Sequence, residues 1–389
     1  MVGSAAVLLS AGLAAALVYA PQAPAGVPAP PPAVASAYHV NPAHTGYSPT
    51  PIAPPLRRRW FRDLDGNVSY PLIADGKVFV TVDEPPSGDA VFMALRVGNG
   101  ATVWSRTFRS PVVGAALEGE TVYLLTSDGM LRALWGDTGR GRWSASLYRD
   151  DGAWSFRTPP TASRGRVFVT ASGYGGHLFG VNGRTGRVLW RTGVRGSDSS
   201  PSTAGGKVFV AYAGPQIYGI NARYGSKAWH VGAFPHGGGS YTTTAYRGRV
   251  YAPGMSGLVV DATSGRLVDS YFSSAQPAVH GNVLLLLEDG ILHGLHRDDH
   301  AHRWVFAGDD GTELVSSPLI VNGRGYVASE GGTVYALSLT SGRVLWRADT
   351  GSTVYPARDD LNATPIPGMA AGGGLLVVPA KHRLVAYAD

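Results

Sequence analysis

The sequence predicts an all-β chain, a ring of eight four-stranded antiparallel blades closed by strands from both chain ends. Three observations predict it. Seven tryptophans, Trp60, Trp104, Trp143, Trp190, Trp229, Trp304 and Trp346, close similar stretches at gaps of 44, 39, 47, 39, 75 and 42 residues. The 75-residue gap spans two periods, and its midpoint falls in the degenerate segment Thr263–Asp269. A period near forty marks a repeat architecture. Within each period, short runs rich in Val, Tyr and Phe alternate with Gly, Asp and Asn turns, the pattern of antiparallel hairpins. The composition agrees: 53 glycines supply positive-φ turn positions, only 15% of residues are charged, and no sustained helical periodicity follows residue 20.

Each unit opens on a small residue and proline, as at Ser110-Pro111, Thr158-Pro159, Ser200-Pro201 and Ser317-Pro318. A short apolar strand and a tight turn follow, such as Ala74-Asp75-Gly76-Lys77. The second strand alternates apolar and β-branched residues, as in Val78-Phe79-Val80 and Val208-Phe209-Val210. After a glycine-rich turn comes the third strand, for example Thr333–Leu337, and a Thr-Gly or Ser-Gly turn leads to the fourth, ending in tryptophan. Four strands every forty residues make a β-propeller. Seven complete units run from Ser69 to Trp346. The last stretch offers three strands, at Thr364–Pro367, Gly374–Pro379 and Arg383–Tyr387, and Arg57-Arg58-Arg59-Trp60 supplies the missing fourth. Joining them gives an eighth blade and removes exposed edges. The seven indoles, each with a large apolar area and one N–H to satisfy, are expected between blades as structural residues.

The segments Gly180–Trp190 and Ala336–Trp346 resemble the tryptophan-docking motif of quinoprotein dehydrogenases. That motif is shared with the wider group of PQQ-like repeat propellers, which includes the propeller lipoprotein of the outer-membrane β-barrel assembly machinery. Asn41–Pro49 is similar to the lead-in of secreted members. The resemblance covers residues 57–389 and implies the fold. For the dehydrogenases it also implies pyrroloquinoline quinone (PQQ) with calcium in the central channel and an aspartate base. Many of those enzymes set the quinone beside a disulfide of adjacent cysteines, which this cysteine-free chain lacks. The motif's usual aspartate survives at Asp261 but is Asn182, Asn221, Ser338 or Trp135 elsewhere.

Val2–Ala20 is an uncharged run of Ala, Leu and Val, read as a signal peptide or a membrane anchor. Residues 21–55 read as a Pro/Ala-rich linker and lead-in, and 56–389 as the propeller. The protein is therefore expected outside the cytoplasm, secreted or anchored by its amino-terminal segment. Without cysteine, lipoprotein-type lipidation is not available to this sequence. The net charge is +6, with one basic run at Arg57–Arg59, and no nucleic-acid-binding signature accompanies it.

In a propeller the loops entering the innermost strands gather at one mouth of the channel. Aligned on the repeat, these loops bring Asn67, Tyr70, Arg109, Trp154, Arg157, Asp198, Tyr241, Gln276, Glu313, Tyr355, Arg358, Asp359, Asp360 and Asn362 toward that mouth as candidate ligand-binding residues. Long loops on a regular scaffold are where function concentrates. Asp359, Asp360 and Asn362 offer hard oxygen ligands for calcium, or a hydrogen-bonded turn. Asp63-Leu64-Asp65-Gly66-Asn67 opens like a calcium loop but lacks its closing glutamate. His293, His296, His300 and His302 cluster in sequence, yet His293 and His296 fall on opposite faces of a strand. No catalytic set, nucleophile elbow or metal site is recognisable, and no cofactor is expected. The favoured expectation is a non-catalytic, monomeric propeller that binds a protein or envelope polymer. The alternative is a divergent alcohol or sugar dehydrogenase using PQQ and calcium.

Overall fold

Every blade turns on a short hairpin whose residues dictate it. The turns Asp75-Gly76, Arg164-Gly165, Arg247-Gly248 and Asn322-Gly323 hold positive φ at both positions, as do Gly205-Gly206 and Gly373-Gly374. This is the conformation that matches the right-handed twist of the flanking strands. The computed structural model describes Met1 and residues 34–84, 88–148, 155–172, 176–194, 199–212, 216–232, 242–357 and 366–389. Contacts divide the chain into Met1–Pro31 and Pro32–Asp389. Among the described residues all regular elements are strands of the second unit, and no helix is long and apolar enough to cross a membrane.

Eight antiparallel sheets follow one another along the chain. Blades one to seven each use four consecutive strands, for example Thr161–Ser163, Arg166–Ala171, His177–Asn182 and Val188–Gly193 in blade three. Blade eight joins the chain ends: Arg57–Asp63 pairs with Arg383–Ala388, which continues to Leu375–Ala380 and Ala370–Gly372. Eight blades and this closure are as the sequence predicts. One detail differs. The innermost strand of blade eight is Ala370–Gly372; of the expected Thr364–Pro367, Thr364 and Pro365 lie outside the described residues and Ile366 and Pro367 are not in a strand. The Gly373-Gly374 turn fixes that register, and Pro367 has no N–H to give a ladder. Second strands are buried along most of their length, as Thr121–Thr126 is throughout, whereas the outer ones alternate with solvent, so apolar residues of adjacent blades merge into a continuous wall.

The third and fourth strands share one irregularity. A bulge interrupts their pairing at Ala94/Leu95, Ala133/Leu134, Gly180/Val181, Gly219/Ile220, Gly294/Leu295 and Ala336/Leu337. Directly opposite the small residue stands the blade's tryptophan. Each indole N–H then donates to a carbonyl of the next blade at 2.7–3.3 Å, as Trp60 to Val97, Trp190 to Ala222 and Trp346 to Leu56. A left-handed glycine of that next blade lies against the ring in six seams: Gly100, Gly139, Gly186, Gly225, Gly265 and Gly342.

Blade five departs from this pattern. Asp269 occupies the tryptophan's register, opposite Val259. The partnering turn of blade six carries His300, at φ +55°, where its counterparts carry glycine. The two meet at 3.0 Å, imidazole Nδ1 to carboxylate Oδ2. A polar contact thus replaces the indole-glycine contact in this one seam.

Candidate functional site at the central channel

The amino-terminal lead-in fills the axis of the ring. Asn41 organises it locally: its side-chain carbonyl accepts from the Ala43 and Thr45 amides, and its Nδ2 donates to Thr45 Oγ1. Residues His39, Val40 and His44 hold positive φ. With the segment so folded, its carbonyls face outward to the innermost strands. The amides of Ile73, Leu117, Thr203, Ala245, Val279 and Ile320 donate to the carbonyls of Ala35, Ser36, Pro42, Ala43, Thr45 and Gly46. All six donors are the equivalent residue of their blades. Blade three joins through Thr161 Oγ1, 3.2 Å from His44 Nε2, and blade eight through Gly374, whose amide donates to Thr50 Oγ1. Tyr47–Ser48 adds a parallel strand beside blade seven, and the Tyr47 ring stacks on His280 at 3.5 Å. Only a segment on the axis can touch all eight blades.

Tyr38 rises from this plug toward the mouth. Its hydroxyl donates to Gln276 Oε1 at 2.9 Å, and its ring meets Tyr70 edge-on at 5.2 Å. Tyr70 in turn donates to the Ala115 carbonyl and accepts from the Ala115 amide. Tyr70 and Gln276 are therefore buried and bonded to the chain's own groups. Burial pushes the Tyr70 phenol well above its usual range. Burial also lowers His44 to about 3, helped by the neighbouring His39, and lowers His39 against the opposing pull of the Pro318 and His44 carbonyls. The His44 imidazole is neutral at physiological pH. No repeat signal in the sequence marks Tyr38, His39 or His44 as channel residues, although Asn41–Pro49 stands apart there by its resemblance.

Of the remaining mouth residues, Arg109, Arg157, Glu313 and Tyr355 are exposed. Arg157 donates through Nε to Ser155 Oγ, and Glu313 packs over Gly290 of blade six. Asn67 meets Tyr355 across the closing seam, accepting from its hydroxyl at 3.4 Å. Trp154, Asp198, Tyr241, Arg358, Asp359, Asp360 and Asn362 lie outside the described residues. Asp63 does not face a cation site: both its oxygens engage Arg383, which holds its carboxyl below the usual range. Of the histidines of blade six, only His293 and His302 meet, their rings edge-on at 5.3 Å. His293 approaches Glu288, His296 approaches Asp299, and His300 belongs to the Asp269 seam.

The described residues do not fit a quinone with calcium. No group of three or more His, Asp or Glu among them is placed to hold a metal ion. A planar cofactor on the axis would compete with Tyr38 and its bond to Gln276.

Known proteins match this architecture. The family model described as outer membrane protein assembly factor BamB matches residues 57–156, 143–277 and 272–388. The BamB of Yersinia pestis is 24% identical over 74% of this chain and 71% of its own length. Quinohemoprotein alcohol dehydrogenase ADH IIB of Pseudomonas putida is 25% identical over 80% of this chain, which spans only 46% of that enzyme. The BamB of Shewanella oneidensis is 25% identical over 42% of this chain and is likewise spanned over 46% of its length. Among solved structures, the BamB of Moraxella catarrhalis gives a TM-score of 0.65 at 19% identity, covering 86% of this chain and 98% of that one. The quinohemoprotein alcohol dehydrogenase of Comamonas testosteroni gives 0.71 at 14%, covering 91% and 80%. At such identities the structural likeness speaks for the fold alone. With matched segments running from residue 57 to residue 388, the chain belongs to the BamB-like family of PQQ-type repeat propellers.

Proposed function

We propose that the protein is a non-catalytic scaffold that binds a protein partner, or a polymer of the cell envelope, across the loop-bearing mouth of its ring. One observation carries this reading: the axis is filled by the chain's own residues 35–50, bonded to every blade. The mouth is then a presenting surface, held by eight blades and costing little order on binding. Exposed Arg109, Arg157, Glu313 and Tyr355 on four entry loops supply charge and one aromatic anchor. The BamB relatives are outer membrane protein assembly factors, which supports a protein partner outside the cytoplasm. On this reading residues 1–20 are a signal peptide or membrane anchor, 21–55 the linker and lead-in, and 56–389 a monomeric propeller.

The test is site-specific photo-crosslinking in the native host. A photoreactive residue at Tyr355 or Arg109 is expected to give a discrete adduct, while one at Arg58 on the outer rim is not. Stoichiometric uptake of PQQ with calcium, accompanied by quinone-dependent alcohol oxidation, would replace this reading with that of a divergent dehydrogenase.

A further inference from the structure

We propose that the cleft between blades three and four, on the face that carries the tight two-residue turns, binds a phosphate group. The groove has a volume of about 230 Å³ and is lined by Arg164, Arg166, Lys207 and Arg223, with Phe168 beneath and Gly206 at its edge. No acidic residue lines it. None of the four cations has an ion-pair partner among the described residues. Arg166 Nε is buried and has no hydrogen-bond partner among the described residues.

The ring supplies its own template for that acceptor. One seam earlier, the Glu118 carboxylate of blade two receives the amide of Gly165, in the blade-three turn, at 2.9 and 3.1 Å. At the seam of blades five and six, Tyr246, in the register of Glu118, receives instead the amide of the first turn residue, Gly281, at 2.8 Å. In blade eight the Gly374 amide finds Thr50 Oγ1 at 3.1 Å. Gly206 is the blade-four equivalent of Gly165, and Ser163 stands where Glu118 stands. No acceptor for the Gly206 amide is found among the described residues, and the groove opens there instead. An oxyanion would take the position that the Glu118 carboxylate takes in the neighbouring seam. Four cations exceed the charge of one carboxylate. A phosphomonoester, with close to two negative charges and three strong acceptor oxygens, answers them better. A soluble phosphate ester and a phosphate-bearing lipid headgroup present the same group. A partner at the opposite mouth plays no part in this site.

Isothermal titration of inorganic phosphate into the full chain tests it, beside co-sedimentation with phosphatidylcholine vesicles with and without phosphatidic acid. One phosphate per chain is expected. Arg166→Gln or Arg223→Gln should each weaken it about tenfold, the worth of one charge-assisted bond. Arg223 is exposed, so its variant keeps the fold. Lys77→Gln removes one charge at the equivalent position of blade one and should leave binding unchanged. Sedimentation that requires phosphatidic acid and is lost in both groove variants assigns the site to a headgroup, and phosphate uptake without sedimentation assigns it to a soluble ligand. Equal losses in Lys77→Gln, binding untouched in the groove variants, or uptake of neither probe would overturn the proposal.

Discussion

Substituting Gly225 by alanine isolates the contact that spaces the blades. Gly225 sits at φ +73°, and a Cβ built on it would lie 2.6 Å from Trp190 Cδ2. Two costs follow. A non-glycine residue in the left-handed region costs about 1–2 kcal/mol. Forcing a methyl into a packed contact costs about 1–3 kcal/mol more, because the indole is pinned by its bond to the Ala222 carbonyl. Gly248 provides the control: its φ is +79°, and nothing lies within 4 Å of its Cβ position. Gly248→Ala incurs only the backbone cost, and the entropy that alanine removes from the unfolded chain is the same at both sites. Gly225→Ala should therefore lose about 2–5 kcal/mol and Gly248→Ala about 1–2 kcal/mol. Urea unfolding followed by indole fluorescence gives both numbers. If the two variants fall within about 0.5 kcal/mol of each other, the indole-glycine contact is not tight and does not set the blade spacing.

Two predictions concern the plug. Tyr38→Phe removes a buried hydroxyl that donates to Gln276 Oε1, which still accepts from Ser317 Oγ; it should cost about 0.5–1.5 kcal/mol in the same assay. His44→Gln removes a titration while keeping a donor for the Thr243 carbonyl and an acceptor for Thr161. The folded pKa of His44, about 3, lies below its unfolded value of 6.5. The unfolded state thus binds the proton first as pH falls, and the stability from a neutral His44 is lost progressively below pH 6.5. Going from pH 7 to pH 5 should cost the parent about 2 kcal/mol more than the variant, measured by urea midpoints at each pH. Equal pH slopes would refute this.

The ring was legible because its signals repeat. Seven tryptophans, the small-residue-proline openings and turns such as Asp75-Gly76 all point to one blade geometry, and tertiary packing had nothing to override. The plug was not, because residues 34–50 carry no period. Their order comes from carbonyls bonded to strands up to hundreds of residues away, and from positive φ at His39 and Val40, which no local propensity favours. The repeat marks the entry loops but not what lies under them, so Tyr70 and Gln276 read as channel-lining groups although Tyr38 engages both. Asp269 shows the same limit. Its segment was visibly degenerate, yet the replacement of an indole by a carboxylate makes sense only beside His300, which the sequence places 31 residues away.

The filled axis also sets a clock on biosynthesis. Thr50 leaves the ribosome early, but the Gly374 amide it receives is 324 residues further along. Trp346 likewise needs the carbonyl of Leu56, 290 positions back. At translation speeds of about 5–20 residues per second, Thr50 waits roughly 16–65 s for that partner, although earlier blades engage the rest of the lead-in sooner. Throughout that interval the nascent chain exposes the strand Arg57–Asp63 as an unpaired edge, and its three consecutive arginines deter stray pairing until the last blade arrives.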